Sequence, residues 1–425
     1  MRRLLIAATV LACGLTAAPA ASAAPYVVTL ADSVRDVDAA VDGLQRDLGL
    51  PKASHRYTTA VKGFAVDLGP GQAAKLARTP GVASVEPDAQ FTAMGMQALA
   101  PGESAPPGVR RIGGATPALA HAPATSAVAV LDTGIDLANT AELQAESGVN
   151  CVKPNTPAQD DNGHGTNVAG IIAARNTGKG VVGVAPGTKV YAVKILNNRA
   201  VGTLSQFLCG IDWVAANAAR LDIRTANMSI GGAGASDGAC GTVSGDSEHK
   251  AICRAAAAGV TFVVSAGNGG TDFARTVPAA YPEVLTATAM TDTDGLPGAR
   301  GPASCAKKEL DDRSGTYSSY AVKASEAVHA IAAPGTCITS AGLAGKASTF
   351  TGTSQAAPHV AGAVALCHGS GGLPGPCAGL APAAVIARVR SDAATAATSS
   401  NGFLGDLIRP LSGKVFGPLV SAAQY

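Results

Sequence analysis

The chain has 425 residues and a formal net charge of +2, with 47% apolar residues and only 4% aromatics. A charge so close to zero gives no basic field for nucleic acid, and that partner class is set aside. With so few aromatics, the core must be built from Ala, Val, Ile and Leu, packed closely around 51 glycines.

The first stretch, MRRLLIAATVLACGLTAAPAASAA, pairs Arg2 and Arg3 with an apolar run from Leu4 to about Leu15 and the small-residue site Ala21-Ser22-Ala23. Residues 1–24 are therefore expected to be a secretory signal peptide. The run falls short of the roughly 20 residues of a membrane span. Val10-Leu11-Ala12-Cys13 is only a loose match to a lipid-attachment site. No later segment is long and apolar enough to cross a bilayer, so the mature protein is expected to be secreted and free of the membrane. Loss of Cys13 leaves Cys151, Cys209, Cys240, Cys253, Cys305, Cys337, Cys367 and Cys377. An even set in an exported chain favours disulfides, with the pairing left open by the spacing. No C-x-x-C occurs, which argues against a zinc site or a thioredoxin-like redox pair.

From Pro25 to Phe91 the pattern reads strand (26–30), helix (34–48), a weak strand near 55–58, strand (63–68), helix (71–78) and strand (82–86). That β-α-β-β-α-β order predicts a small ferredoxin-like α+β unit. Residues 92–107, TAMGMQALAPGESAPP, read as an irregular linker open to proteolysis. Beyond it strands and helices alternate: strand 127–131, helix 164–174, strand 190–196, helix 204–219, strand 226–230, helix 248–259 and strand 260–267. Strands at 284–290 and 330–335, a helix from Ser354 and a helix at 383–393 follow. Continuous apolar strands between helices predict an α/β fold, a mainly parallel central sheet with helices on both faces.

In such sheets reactive groups gather at the carboxyl ends of strands. Asp132 directly follows the strand AVAVL, in AVAVLDTGID; alone it reads equally as a turn or cap residue. Asp136 reads as a turn residue. His164 stands between Gly163 and Gly165 and opens a helix of small residues; alone it reads as a loop histidine. Ser354 follows Gly352 at a helix start, where developing negative charge is stabilised, or where a serine simply caps the helix. Asn268, in VVSAGNGG, could donate its amide to an oxyanion or merely occupy a turn. His359 cannot serve Ser354 as base. Five positions along a helix place it about 140° around the axis.

Together, and in this order, the three blocks resemble the Asp, His and Ser signatures of the subtilisin-like serine proteases (subtilases, peptidase family S8). NMSIGG (227–232) and GVAPGTKVYAVKIL (183–196) also fit, and the wording is most similar to the proteinase K-like branch. Pro25–Phe91, ending in VASVEPD, resembles the inhibitor I9-type propeptide of such enzymes. The resemblance implies a signal peptide (1–24), a propeptide domain (25–93), a linker holding the maturation cut (94–107) and a catalytic domain (108–425). It implies a catalytic triad of Asp132, His164 and Ser354, with the oxyanion held by Asn268 and the Ser354 N–H. Substrate polypeptide would lie between Ser229, Ile230, Gly231 and Gly232 on one side and Ala266 and Gly267 on the other. Neither wall segment carries a charge, so apolar or aromatic residues are expected before the cut. The propeptide would act as intramolecular inhibitor and folding aid, and the enzyme as a monomer.

The same resemblance, with sequence proximity, suggests the pairs Cys151–Cys209, Cys240–Cys253, Cys305–Cys337 and Cys367–Cys377. No cofactor is needed for the chemistry. Calcium is common in the family and stays open as a structural ion, although no clean ligand cluster stands out; Asp160, Asp161, Asp292 and Asp294 read as solvated loop residues. The chain departs from the family at Asn167, where His is frequent, at Gln355, where Met is usual, and at Asn139-Thr140, where His-Pro often stands. Two rival readings stand beside this one. One is an α/β-hydrolase esterase, on the G-x-S-x-G at Gly234–Gly238, which lacks the strand before and the helix after its serine. The other is a non-catalytic binding protein on the same fold, which should have lost a triad residue.

Overall fold

The computed structural model describes residues 23–59, 61–88, 96–398 and 400–425. The expected signal peptide lies outside the described residues up to position 22, as do residues 94–95 of the expected linker. The chain divides into two compact units, Met1–Thr92 and Ala93–Tyr425.

The first unit runs β1 (Ala24–Leu30), α1 (Val37–Leu48), β2 (His55–Tyr57), β3 (Gly63–Leu68), α2 (Pro70–Leu76) and β4 (Val82–Pro87). Its antiparallel sheet has the order β2-β3-β1-β4. The weakest expected strand is real but three residues long. Helix α1 starts three residues later than its apolar pattern because the Asp36 carboxylate caps it, accepting from Ala39 N at 2.9 Å. Val41 of α1 and Leu76 of α2 bury against Val28, Phe64 and Leu68 on one face of the sheet.

The second unit opens with β5 (Met96–Ala98), α3 (Pro107–Arg111), β6 (Leu119–His121), β7 (Ala127–Asp132), β8 (Gln144–Asn150) and α4 (His164–Ala173). It continues through β9 (Lys189–Lys194), α5 (Leu204–Asn217), β10 (Ile223–Met228), β11 (Gly232–Ala233), α6 (Ser247–Ala257) and β12 (Thr261–Ser265). Then come β13 (Thr276–Val277), β14 (Leu285–Thr291), β15 (Arg313–Ser314), α7 (Ala324–Ala327), β16 (Ala330–Pro334), β17 (Ile338–Ala341), β18 (Ala347–Phe350), α8 (Thr353–His368) and α9 (Pro382–Ala396).

The main sheet has the order β15-β14-β12-β10-β7-β9-β8, with β16 also paired to β14. Every pairing in it is parallel except β14 with β15. Strand β7 shows why its sequence is apolar throughout. Val128 and Val130 enter the core shared with α4, α8 and α9, while Ala127, Ala129 and Leu131 enter the core on the other face, shared with α5 and α6. Helix α8 is buried along nearly its whole length, which its run of Ala and Gly permits. Disulfides join Cys151–Cys209, Cys240–Cys253, Cys305–Cys337 and Cys367–Cys377, with Cα–Cα separations of 6.0, 5.9, 6.0 and 5.1 Å.

The irregular linker expected over 92–107 is corrected. Met96–Ala98 pairs antiparallel with Leu119–His121, Asn176 Nδ2 donates to Ala98 O and Ala100 N donates to Asn176 Oδ1, each at 2.7 Å. Val182 N donates to Ser104 O at 3.0 Å. Residues 96–107 therefore belong to the second unit. Their Gly and Pro residues mark turns between fixed anchors rather than a free tether.

Candidate active site

Strand β7 ends at Asp132, whose carboxylate is fully buried. Its Oδ1 accepts from His164 Nδ1 at 2.8 Å and from Thr133 N at 2.7 Å; Oδ2 lies 3.0 Å from the same Nδ1. The glycines around His164 make this approach feasible. A Cβ on Gly165 would stand 2.1 Å from the Gly134 carbonyl oxygen and 3.1 Å from Asp132 Cβ, and Gly163 turns into the helix with φ of 106°.

The Asp160 carboxylate holds the whole turn together. It accepts from Thr133 Oγ1, Asn162 N, Gly163 N, Thr166 N and Thr166 Oγ1 over 2.6–3.0 Å. It sits against the positive end of α4. Expected as a solvated loop residue, Asp160 is instead buried, and Asp161 is bound to Lys194 Nζ at 2.7 Å. Burial works against a charged His164, but the charge and hydrogen bond of Asp132, with the charge of Asp160, outweigh it and raise the imidazole above its ordinary 6.5. With Nδ1–H donated to Asp132, the Nε2 lone pair is left for a proton acceptor's role.

Ser354 lies in the first turn of α8, after Gly352. Its hydroxyl donates to Ser229 O at 3.1 Å, and Ser229 Oγ donates back to Ser354 O at 2.7 Å. Pro358 explains the second bond. Four residues further along the helix, it has no N–H to give the Ser354 carbonyl, and Ser229 supplies the missing donor. His359 faces away as expected. It is fully buried, accepts no role in the cleft and joins its Nδ1 to Gln355 O at 2.8 Å.

Asn268 spends its side-chain oxygen on Thr353, accepting from Thr353 N at 2.8 Å and Thr353 Oγ1 at 2.9 Å. These two donors fix the orientation of the amide. Its nitrogen is left toward Gly352, whose added Cβ would lie 3.1 Å away.

One cleft of about 700 Å³ collects these groups: His164, Ser229, Asn268 and Ser354 all line it. The expected strand over 226–230 ends at Met228, which frees Ser229–Gly231 from the sheet. Ile230, Gly231, Gly232 and Gly267 also line the cleft. Ala266 does not, and this corrects its expected role. Ala266, just past the end of β12, continues that strand's alternation into the core beside α5 and α6, whereas Ser265 and Gly267 line the cleft. Other lining residues carry no signal in the sequence, among them Leu196, Val201, Phe207, Arg275, Thr276 and Ser319. Thr276 stands across the slot, its Cγ2 3.0 Å from a Cβ placed on Gly231 and 3.6 Å from one on Gly267. Ser319 and Arg275 complete that end. Thr276 and the adjacent Arg275 arrive through the antiparallel pairing of β11 with β13, which no local motif announces, and Ser319 N donates to Gly267 O at 2.9 Å.

The rival serine, Ser236, sits between β11 and α6 and accepts from Gly238 N at 3.0 Å, outside this cleft. Two groups of potential metal ligands occur among the described residues. In the first, with His249 and Glu283, the sulfurs of Cys240 and Cys253 are spent on each other. In the second, Asp292, Asp294 and Asp311, the Arg111 guanidinium already lies 3.1 Å from Asp292 and 2.8 Å from the adjacent Asp312. Asp311 takes Thr293 N and Gly301 N. Neither set fits a calcium ion, and no step below depends on one. Asp292, expected as solvated, is buried.

The fold is subtilisin-like. It is similar to the crystal structure of a cold adapted subtilisin-like serine proteinase, with a TM-score of 0.51 and 24% identity over 75% of this chain and 98% of that one. The subtilase family pattern (Peptidase_S8) matches residues 124–390, and the chain belongs to that family. The peptidase inhibitor I9 pattern matches residues 25–94. Alkaline elastase YaB of Bacillus sp. (strain YaB) is 32% identical over 71% of this chain and 68% of its own length. Minor extracellular protease Epr of Bacillus subtilis (strain 168) is 36% identical, and subtilisin E of the same strain 34%, each over 56% of this chain. The match spans 31% of Epr and 54% of subtilisin E. These relatives do not separate the proteinase K-like branch from the rest of the family. Among the described residues no helix is long and apolar enough to cross a membrane.

Proposed function

We propose that the protein is a secreted serine endopeptidase, made as a precursor that cuts itself. The observation that carries this is the buried Asp132–His164 pair opening onto the same cleft as Ser354 at a helix N-terminus. Ser354 Oγ leaves its bond to Ser229 O and attacks the scissile carbonyl while His164 Nε2 takes the proton. His164 then protonates the leaving amine, and Asp132 holds the imidazole in its tautomer and stabilises its charge. The Asn268 amide and the Ser354 N–H receive the oxyanion. Water repeats the sequence on the acyl-enzyme.

Substrate would bind extended along Ser229–Gly231, through main-chain hydrogen bonds. The glycine walls with Thr276 across the slot suit apolar and aromatic side chains before the cut. Arg275, a charged residue that the two wall segments did not reveal, works against Lys and Arg there. The I9-type unit would serve as folding aid and inhibitor until removed. Two relatives named above, an extracellular protease and an alkaline elastase, support the reading.

The test compares wild type with Ser354→Ala in secreted form. Wild type should hydrolyse peptides and lose its N-terminal unit; the variant should do neither. Residual peptidase activity in the variant would defeat the serine mechanism. Equal processing in both would defeat self-maturation alone.

A further inference from the structure

Two departures from the family pattern, Asn167 and Gln355, meet in the structure. Gln355 Nε2 donates to Asn167 Oδ1 at 3.5 Å, and both side chains are buried. Asn167 lies one turn beyond His164 in α4, and Gln355 is the residue after Ser354 in α8. This amide pair therefore spans the two helices that carry the proton acceptor and the nucleophile.

A hairpin closes the third side. Asn167 Nδ2 donates to Ser348 O at 2.9 Å and to Ser348 Oγ at 3.1 Å, in the β17–β18 hairpin. At the hairpin tip Ala344 N donates to Asp136 Oδ2 at 2.8 Å, in the loop that follows Asp132. The strand then sets Phe350 edge-on to the His164 ring, with centroids 5.9 Å apart and planes at 71°, before entering α8. Cys337, bonded to Cys305, anchors the hairpin base. The hairpin thus touches all three segments that bear Asp132, His164 and Ser354, and Asn167 is its tie to the middle one.

We propose that Asn167 and Gln355 are positioning residues, whose shared amide contact, braced by Ser348, sets the distance between the His164 ring and the Ser354 hydroxyl. This inference rests on the serine mechanism proposed above. Buried amides left without partners are costly, so the pair has one favoured arrangement. A displacement of about 1 Å at reacting groups can cost about 10²-fold in rate. Neither side chain needs to touch substrate for this effect.

The test uses Asn167→Leu, Gln355→Met and the double variant in the full chain, with thermal unfolding measured in the Ser354→Ala background. Each single variant should lower kcat about tenfold with KM within twofold. The acid limb of kcat/KM should shift, because the His164 ring is held less firmly against Asp132. The double variant should be no worse than the weaker single, since both break one contact. Singles that keep kcat within twofold and leave the pH limb unmoved would overturn the inference, as would losses that multiply in the double. If Asn167→Leu shows no unfolding transition, Gln355→Met decides by the same criteria. Should Ser354→Ala itself remain active, it is the mechanism, not the positioning, that has failed.

Discussion

Because Asn268 gives its oxygen to Thr353, only its N–H bonds remain for the cleft. Asn268→Leu should therefore lower kcat by about 10²–10³-fold, the size found for such a donor in subtilisin, with KM little changed. An unchanged kcat would remove Asn268 from the mechanism. His164 must be neutral to accept a proton, and Asp132 lifts its pKa above 6.5. Activity should then fall as the pH drops through a midpoint above 6.5; a midpoint below it in kcat/KM would contradict the pairing. Gln355 has no thioether to oxidise, and the neighbouring strands hold Met228 and Met290 fully buried. Peroxide should leave most activity intact, whereas rapid inactivation would show that a methionine near the site is reachable. At this scale the placement of Asp132, His164, Asn268 and Ser354 at strand ends and helix starts was readable in the sequence, and the structure gathers them about one cleft. The sequence misplaced Ala266, because a run of small residues hides which of them the strand turns outward. It misread Asp160 as solvated: four of its five donors lie within six residues, but their convergence on one buried carboxylate, with Thr133 as the fifth, follows from the fold of the turn.

Elements that are apolar on both faces or capped were legible; those at edges were not. Strand β8, Gln144–Asn150, is polar and lies at the sheet's edge, so periodicity gave no sign of it. The β17–β18 hairpin is short and rich in Ser and Thr, yet it joins the three segments that bear Asp132, His164 and Ser354. Strand β5 hid inside a stretch that composition marked as linker. Its pairing with β6 makes a prediction at the same scale: the maturation cut falls before Met96, because a later cut would strip the strand and its bonds to Asn176. Sequencing the mature N-terminus should find it at or before Met96. A start beyond Ala98 would show that β5 is dispensable.

At the scale of the whole molecule, buried ionisable groups oppose one another. Burial lowers His329, His359 and His368 to about 4, so below pH 6.5 the unfolded chain takes up protons that the folded one refuses. Burial raises Glu142, Glu248 and Asp292 to about 7, so the folded chain takes up protons before the unfolded one does. The first set costs stability as the pH falls and the second adds it. Three against three, they should leave stability nearly flat from about pH 4.5 to 6.5. Denaturant unfolding of the Ser354→Ala protein checks this, and a steep slope would refute the balance. Glu248→Gln should tilt the curve so that stability rises with pH, by at most about 1.4 kcal/mol per unit.

Helix α8 is both the centre of the core and the bearer of Ser354, and it packs on strands drawn from positions as early as β7. Scaffold and nucleophile therefore cannot be assembled separately. The parallel sheet offers few local pairings that could form before α8 arrives, so folding must close long loops before burial rewards them, and it should be slow. Unfolding meets the same barrier from the other side. Were the proposed secretion and self-cleavage to hold, survival of the folded enzyme would be a matter of rate as much as of equilibrium.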